Sequence, residues 1–128
     1  HEFKTQAVIN AMPQRFGDAL VYMMKECSQT VEALAESARM DVKMLQRMRN
    51  DSSYPKNIES VVALCIAMHL RPEYSAKLME KAGYTLRIAD SEAHLLYKFF
   101  LENYYSHTVD ECNAILTAKR LPILTGTY

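Results

Sequence analysis

At 128 residues the chain is the size of one domain, or of a small domain with a helical extension, and should bury roughly two thirds of its unfolded surface. Hydrophobic residues make up 49% and charged residues 23%, with no apolar run long enough for a transmembrane helix, so the pattern excludes a membrane span. The 15 Lys and Arg balance the 15 Asp and Glu, which excludes a strong general DNA binder unless the charge is segregated.

The start, His1-Glu2-Phe3, lacks an initiator Met and a signal-peptide pattern, and residues 1–3 read as a vector remnant. Residues 4–128 are then expected to form a single helical domain, with a core over about 13–83 and a helical extension over about 84–128. Pro13 suits a first helical position, and Phe16, Leu20, Met23 and Cys27 recur at spacings of three and four, predicting a first helix from Pro13 to Glu26 weakened slightly by Gly17. Thr30 is a good N-cap, and Val31, Leu34, Ala35 and Ala38 form an apolar stripe behind it. A break follows at Arg39 and Met40. Asp41 then caps a helix to Asn50 that buries Met44, Leu45 and Met48 and turns Val42, Lys43, Gln46, Arg47 and Asn50 to the opposite arc. Two short helices joined by a tight corner are the sequence shape of a helix-turn-helix, whose second helix can enter the DNA major groove.

Asp51 to Pro55 is a loop by its turn residues, and Asn57 caps the next helix. Ile58, Val61, Val62, Leu64, Cys65, Ile66 and Met68 leave that helix almost no polar face, so it should be the central one. Pro72 begins a fifth helix that ends at Ala82, with Gly83 in a left-handed cap. Tyr84 to Ala89 is ambiguous. A sixth helix from Ser91 to Tyr104 carries an aromatic cluster from Tyr97 to Tyr105, read as core or as an interface, and a seventh begins with the capping box Thr108/Glu111. Pro122 ends the regular structure.

Between Arg39 and Lys56 the basic residues Arg39, Lys43, Arg47, Arg49 and Lys56 outnumber Asp41 and Asp51, a local positive patch on a neutral body. Met40, Met44 and Met48, four apart on the core arc, read as core, and His69 reads as a structural residue in left-handed geometry. His94 and His107 have no partner at ligand spacing, and Cys27, Cys65 and Cys112 are an odd count without a short-spaced pair. No catalytic residue, metal or small-molecule cofactor is expected, and the thiols fit a reducing, cytoplasmic setting.

Thr30 to Leu78 resembles the lambda-repressor-like, Xre-type helix-turn-helix domains of phage repressors and bacterial regulators. The matching residues are Thr30, Leu34-Ala35-Glu36, Met40, Leu45, Arg47-Met48, Ile58-Glu59-Ser60-Val61 and Ala67-Met68-His69-Leu70. The residues after Gly83 resemble helical tails found behind such domains. The resemblance implies an all-α fold, a five-helix unit with about two C-terminal helices packed on it. It puts Val42, Lys43, Gln46 and Arg47 near base edges or phosphates, and Thr30 and Asn50 near the backbone. Val31 stands where the family commonly has Gln, and Arg39 where it commonly has Gly; a non-glycine corner costs less if its backbone avoids the left-handed region. The expected function is sequence-specific binding of double-stranded DNA in transcription regulation, with a homodimer through the C-terminal helices. The alternative is a protein-interaction module of the same fold that has lost DNA binding.

Overall fold

Short polar side chains set most of the helix starts. The computed structural model describes residues 2–126, and among them the chain is all-α, with eight helices and no strand. Thr30 accepts from Ala33 N at 3.1 Å ahead of α3 (Val31–Ser37), and Asp41 from Lys43 N at 2.7 Å ahead of α4 (Val42–Asn50). Asn57 accepts from Ser60 N at 2.8 Å before α5 (Ile58–Ala67), and Ser91 from His94 N at 3.1 Å before α7 (Glu92–Asn103). The box Thr108/Glu111 opens α8 (Val109–Ala118), and Pro72 opens α6 (Pro72–Ala82). Each side-chain cap contributes about 1 kcal/mol by satisfying a backbone N–H that the helix leaves without a partner.

Two differences from expectation fall at the N-terminal end. Residues Glu2–Ala11 form a helix, α1, that the sequence did not signal, and α2 (Phe16–Glu26) starts three residues after Pro13. The mixed sequence of α1 carries no strong apolar stripe; among its described side chains it buries only Thr5 and Val8, and Met12 follows it into the core. Pro13 stands in the connection, and Arg15 takes the extended N-cap position. The vector-remnant reading falls partly on His1, outside the described residues, as do Thr127 and Tyr128 at the other end. Glu2 and Phe3 belong to α1, and Phe3 is exposed.

α5 is the centre. Every residue in it except Glu59 is buried, and α3, α6, α7 and α8 all pack against it. Its burial of Val61, Val62, Leu64 and Ile66 contributes about 1.5–3 kcal/mol for each side chain, which offsets ordering of the surrounding short helices. One core cluster runs from Val8 on α1 through to Leu124, so the C-terminal segment shares the core of the helices before it. The aromatic stretch divides: Tyr97, Phe100 and Leu101 are buried, while Phe99 remains exposed, as does Leu95 one turn before it.

Five helices end the same way. After α2, α3, α5, α6 and α8 the chain takes one left-handed residue, at Ser28, Arg39, His69, Gly83 and Arg120, and the following N–H returns to a carbonyl five residues back. Only one of the five is glycine. A left-handed non-glycine residue costs roughly 1–2 kcal/mol, which the recovered helix-end hydrogen bonds and the packing beyond each corner offset.

Candidate nucleic-acid interface

The corner between α3 and α4 does not avoid the left-handed region. Arg39 sits at φ 55°, and Met40 N donates to Ala35 O at 3.0 Å to close the turn. The chain thus makes this corner without glycine, as it makes three others.

Winding α4 at about 100° per residue puts Leu45 and Met48 inward, and both are buried. Lys43, Gln46, Arg47 and Asn50 come together on one exposed arc. Val42, expected with them, lies at the arc's edge, half-buried and packed against the core. The reason is angular: Val42 is roughly 20° from Arg49, which is itself half-buried beside α2. Thr30 belongs to a different element, the exposed start of α3, where its hydroxyl oxygen already accepts from Ala33 N. Met48 is core as expected, but Met40 and Met44 are only half-buried and line a groove beside α4.

The positive patch is smaller than the sequence suggests. Arg39 is spent on Asp110 of α8, donating from Nε at 2.9 Å and from Nη2 at 2.7 Å, and the pairing holds the Asp110 carboxyl below the usual carboxylate range. Lys56 lies 5.3 Å from the centre of the Phe16 ring, and the Arg47 guanidinium 5.8 Å from that of Tyr54. The Ser53 hydroxyl and backbone N–H, with a smaller pull from Arg47, hold the Asp51 carboxyl low. Lys43 and Arg47 are the exposed cations on the α4 arc itself.

Sequence reasoning missed Arg15 and Lys81. Both line a small cavity of about 220 Å³ at the end of α4, with Ser52, Tyr54 and Lys56. Arg15 donates to Arg49 O at 2.9 Å and to Ser52 Oγ at 3.3 Å, and pairs with Asp18. What brings it there is Gly17: a Cβ added at this residue would run into the Arg49 carbonyl, so glycine lets α2 touch the backbone of α4. A glycine inside an apolar-periodic helix was the one available signal, since it commonly marks a close backbone approach.

The described histidines, His69, His94 and His107, have partners within the fold. His69 Nδ1 is 2.9 Å from Tyr105 O, and His94 Nδ1 accepts from Arg87 N at 2.9 Å. His107 does have a carboxylate at helical spacing, contrary to expectation: its Nδ1 is 3.3 Å from Glu111, and its ring stacks on Tyr104 at 3.7 Å. Among the described residues no group of three or more His, Cys, Asp or Glu is placed to hold a metal ion, and no helix is long and apolar enough to cross a membrane. Compared with family models, with curated proteins and with solved structures, the chain matches none.

Proposed function

We propose that this protein is a sequence-specific DNA-binding transcriptional regulator, in which α2 to α6 act as a five-helix, lambda-repressor-like unit of the Xre type and α4 is the recognition helix. One observation carries the reading. Lys43, Gln46, Arg47 and Asn50 share an exposed arc of α4, while the C-terminal segment lies on the other flank, across a groove lined by Met40, Asp41 and Met44, and leaves that arc exposed. Gln46 can present a donor and an acceptor to an adenine edge, Lys43 and Arg47 can address guanine or phosphate, and Asn50 can hydrogen-bond the DNA backbone. Val42 at the arc's edge can meet a thymine methyl, and Thr30 a phosphate through its hydroxyl proton. The reading includes a cytoplasmic location, no metal or cofactor, and no small-molecule substrate. Self-association through α7, whose Leu95 and Phe99 are 53% and 41% exposed, would let two copies address two half-sites.

The test is a fluorescence-anisotropy titration of mixed duplex DNA at low salt. Binding at micromolar concentration or tighter, weakening steeply as salt rises, is expected; no binding at about 50 mM salt overturns the reading. Arg47→Ala should then cost roughly 1–3 kcal/mol of affinity if its side chain reads a base. A second reading, the same fold as a protein-interaction module without DNA binding, is favoured by the loss of Arg39 from the patch to Asp110. It predicts that Arg47→Ala changes no duplex affinity because there is none to change.

A further inference from the structure

Three contacts from the C-terminal segment converge on the corner that joins α3 to α4. Asp110 on α8 takes both Arg39 hydrogen bonds, at 2.9 and 2.7 Å. Thr125 Oγ1 donates to Ala38 O at 2.5 Å. Gly126, at φ 86°, lies so close that a Cβ there would meet Arg39 Cβ at 3.3 Å. The strand of chain making these contacts is itself anchored: Asn113, 2% exposed, accepts from Leu124 N at 2.8 Å and donates to Thr125 O at 3.0 Å, and Leu124 is buried in the core.

These contacts meet specific needs of the corner. Ala38 is the C-cap of α3, where the helix has no further N–H of its own to offer the carbonyl, and the Thr125 hydroxyl supplies the donor. Arg39 is a left-handed non-glycine residue, a conformation that persists only where its surroundings hold it. Because the corner sets the angle between α3 and α4, whatever fixes it also fixes the direction of the exposed arc of α4.

We infer that residues 121–126 form a strap which, with Asp110, clamps the helix corner and positions α4 for binding, with Asp110, Asn113 and Thr125 as positioning residues. The inference rests on the DNA reading above. It gives Arg39 the role of a clamp member, and not of a phosphate ligand, and the two roles predict opposite signs.

The experiment uses the full chain with Thr125→Val, which keeps the shape and the charge, and Asp110→Asn. Two quantities are read: affinity for a duplex as salt is varied, and hydrogen exchange at the Arg39 and Met40 amides, with the Leu64 and Ile66 amides as a control for global opening. Both variants should bind about tenfold more weakly, Thr125→Val with an unchanged salt slope, and corner exchange should quicken at least tenfold while the control amides hold. Tighter binding with a steeper salt slope in Asp110→Asn would mean that the freed Arg39 reaches phosphate, and overturns the clamp. Unchanged corner exchange overturns it as well, and so does a loosened corner with unchanged affinity in Thr125→Val. If the wild type binds no duplex, the DNA reading and the positioning role fall together, and the exchange data decide separately whether the strap holds the corner.

Discussion

Gly17→Ala is the substitution in which helix propensity and tertiary packing disagree most sharply. On propensity alone alanine in place of Gly17, the second residue of α2, is favoured by at most about 1 kcal/mol. The added Cβ, however, collides with the Arg49 carbonyl and comes within 2.8 Å of Arg15 Nη1. The obstacle is largely backbone, so α2 and α4 must part by roughly an ångström to regain a carbon contact distance of about 3.5 Å. Overpacking of that kind costs about 1–3 kcal/mol, and displacing Arg15 from Arg49 O forfeits about 1 kcal/mol more. With the propensity gain set against both, the variant should lose about 1–3 kcal/mol and melt on the order of 3–10 °C lower. Thermal and urea unfolding followed by circular dichroism measure this. Gly83→Ala is the companion: its Cβ would meet nothing within 4 Å, so only the left-handed φ of 83° is strained, at about 1 kcal/mol. If Gly17→Ala is as stable as the wild type, the close approach of α2 to α4 is wrong, and so is the placement of Arg15 beside α4.

The thiols should react in a fixed order. Burial pushes the Cys65 and Cys112 thiols up to about 12, whereas half-buried Cys27 is raised less, again chiefly by burial. Iodoacetamide at pH 8 followed by intact mass should therefore show one alkylation in the native state, at Cys27, and three after unfolding; early labelling of Cys65 would contradict its place in the core. The Asp110 clamp carries a pH signature. Because the Arg39 hydrogen bonds lower the Asp110 pKa in the folded state, the stability it contributes is present above the unfolded value of about 3.9 and is lost as pH falls through the lower folded value. The melting temperatures of wild type and Asp110→Asn should thus differ at pH 7 and converge on acidification below pH 4, and a gap that persists in acid would show that the substitution acts through packing.

Local signals made α3 to α8 legible because each of these helices carries its own punctuation. Thr30, Asp41, Asn57, Ser91 and Thr108 hydrogen-bond within three residues of themselves, Pro72 fixes its own φ, and Gly83 takes the left-handed φ of the cap without strain. The run from Ile58 to Ala67 announced the buried centre by having almost no polar face. α1 was illegible for the converse reason: it has no strong stripe, and is held by Val8 packing and by Arg71 donating to Thr5 at 3.0 Å across the chain.

Of the candidate site, Lys43, Gln46, Arg47 and Asn50 could be placed on one face from spacing, since a helix repeats at an angle independent of its surroundings. Val42 could not, because whether an edge position is covered depends on the neighbouring helix. By itself, then, the sequence determined the helical class, most helix limits, the central helix and the polar arc of α4, all of which follow from interactions within a few residues. Only the tertiary structure decided that Gly17 is a point of contact, that Arg15 and Lys81 flank the end of α4, and that Arg39 is committed to Asp110. Arg39 and Asp110 are 71 positions apart in sequence, and no local pattern records a pairing that forms only when α8 and the strap settle on the same core.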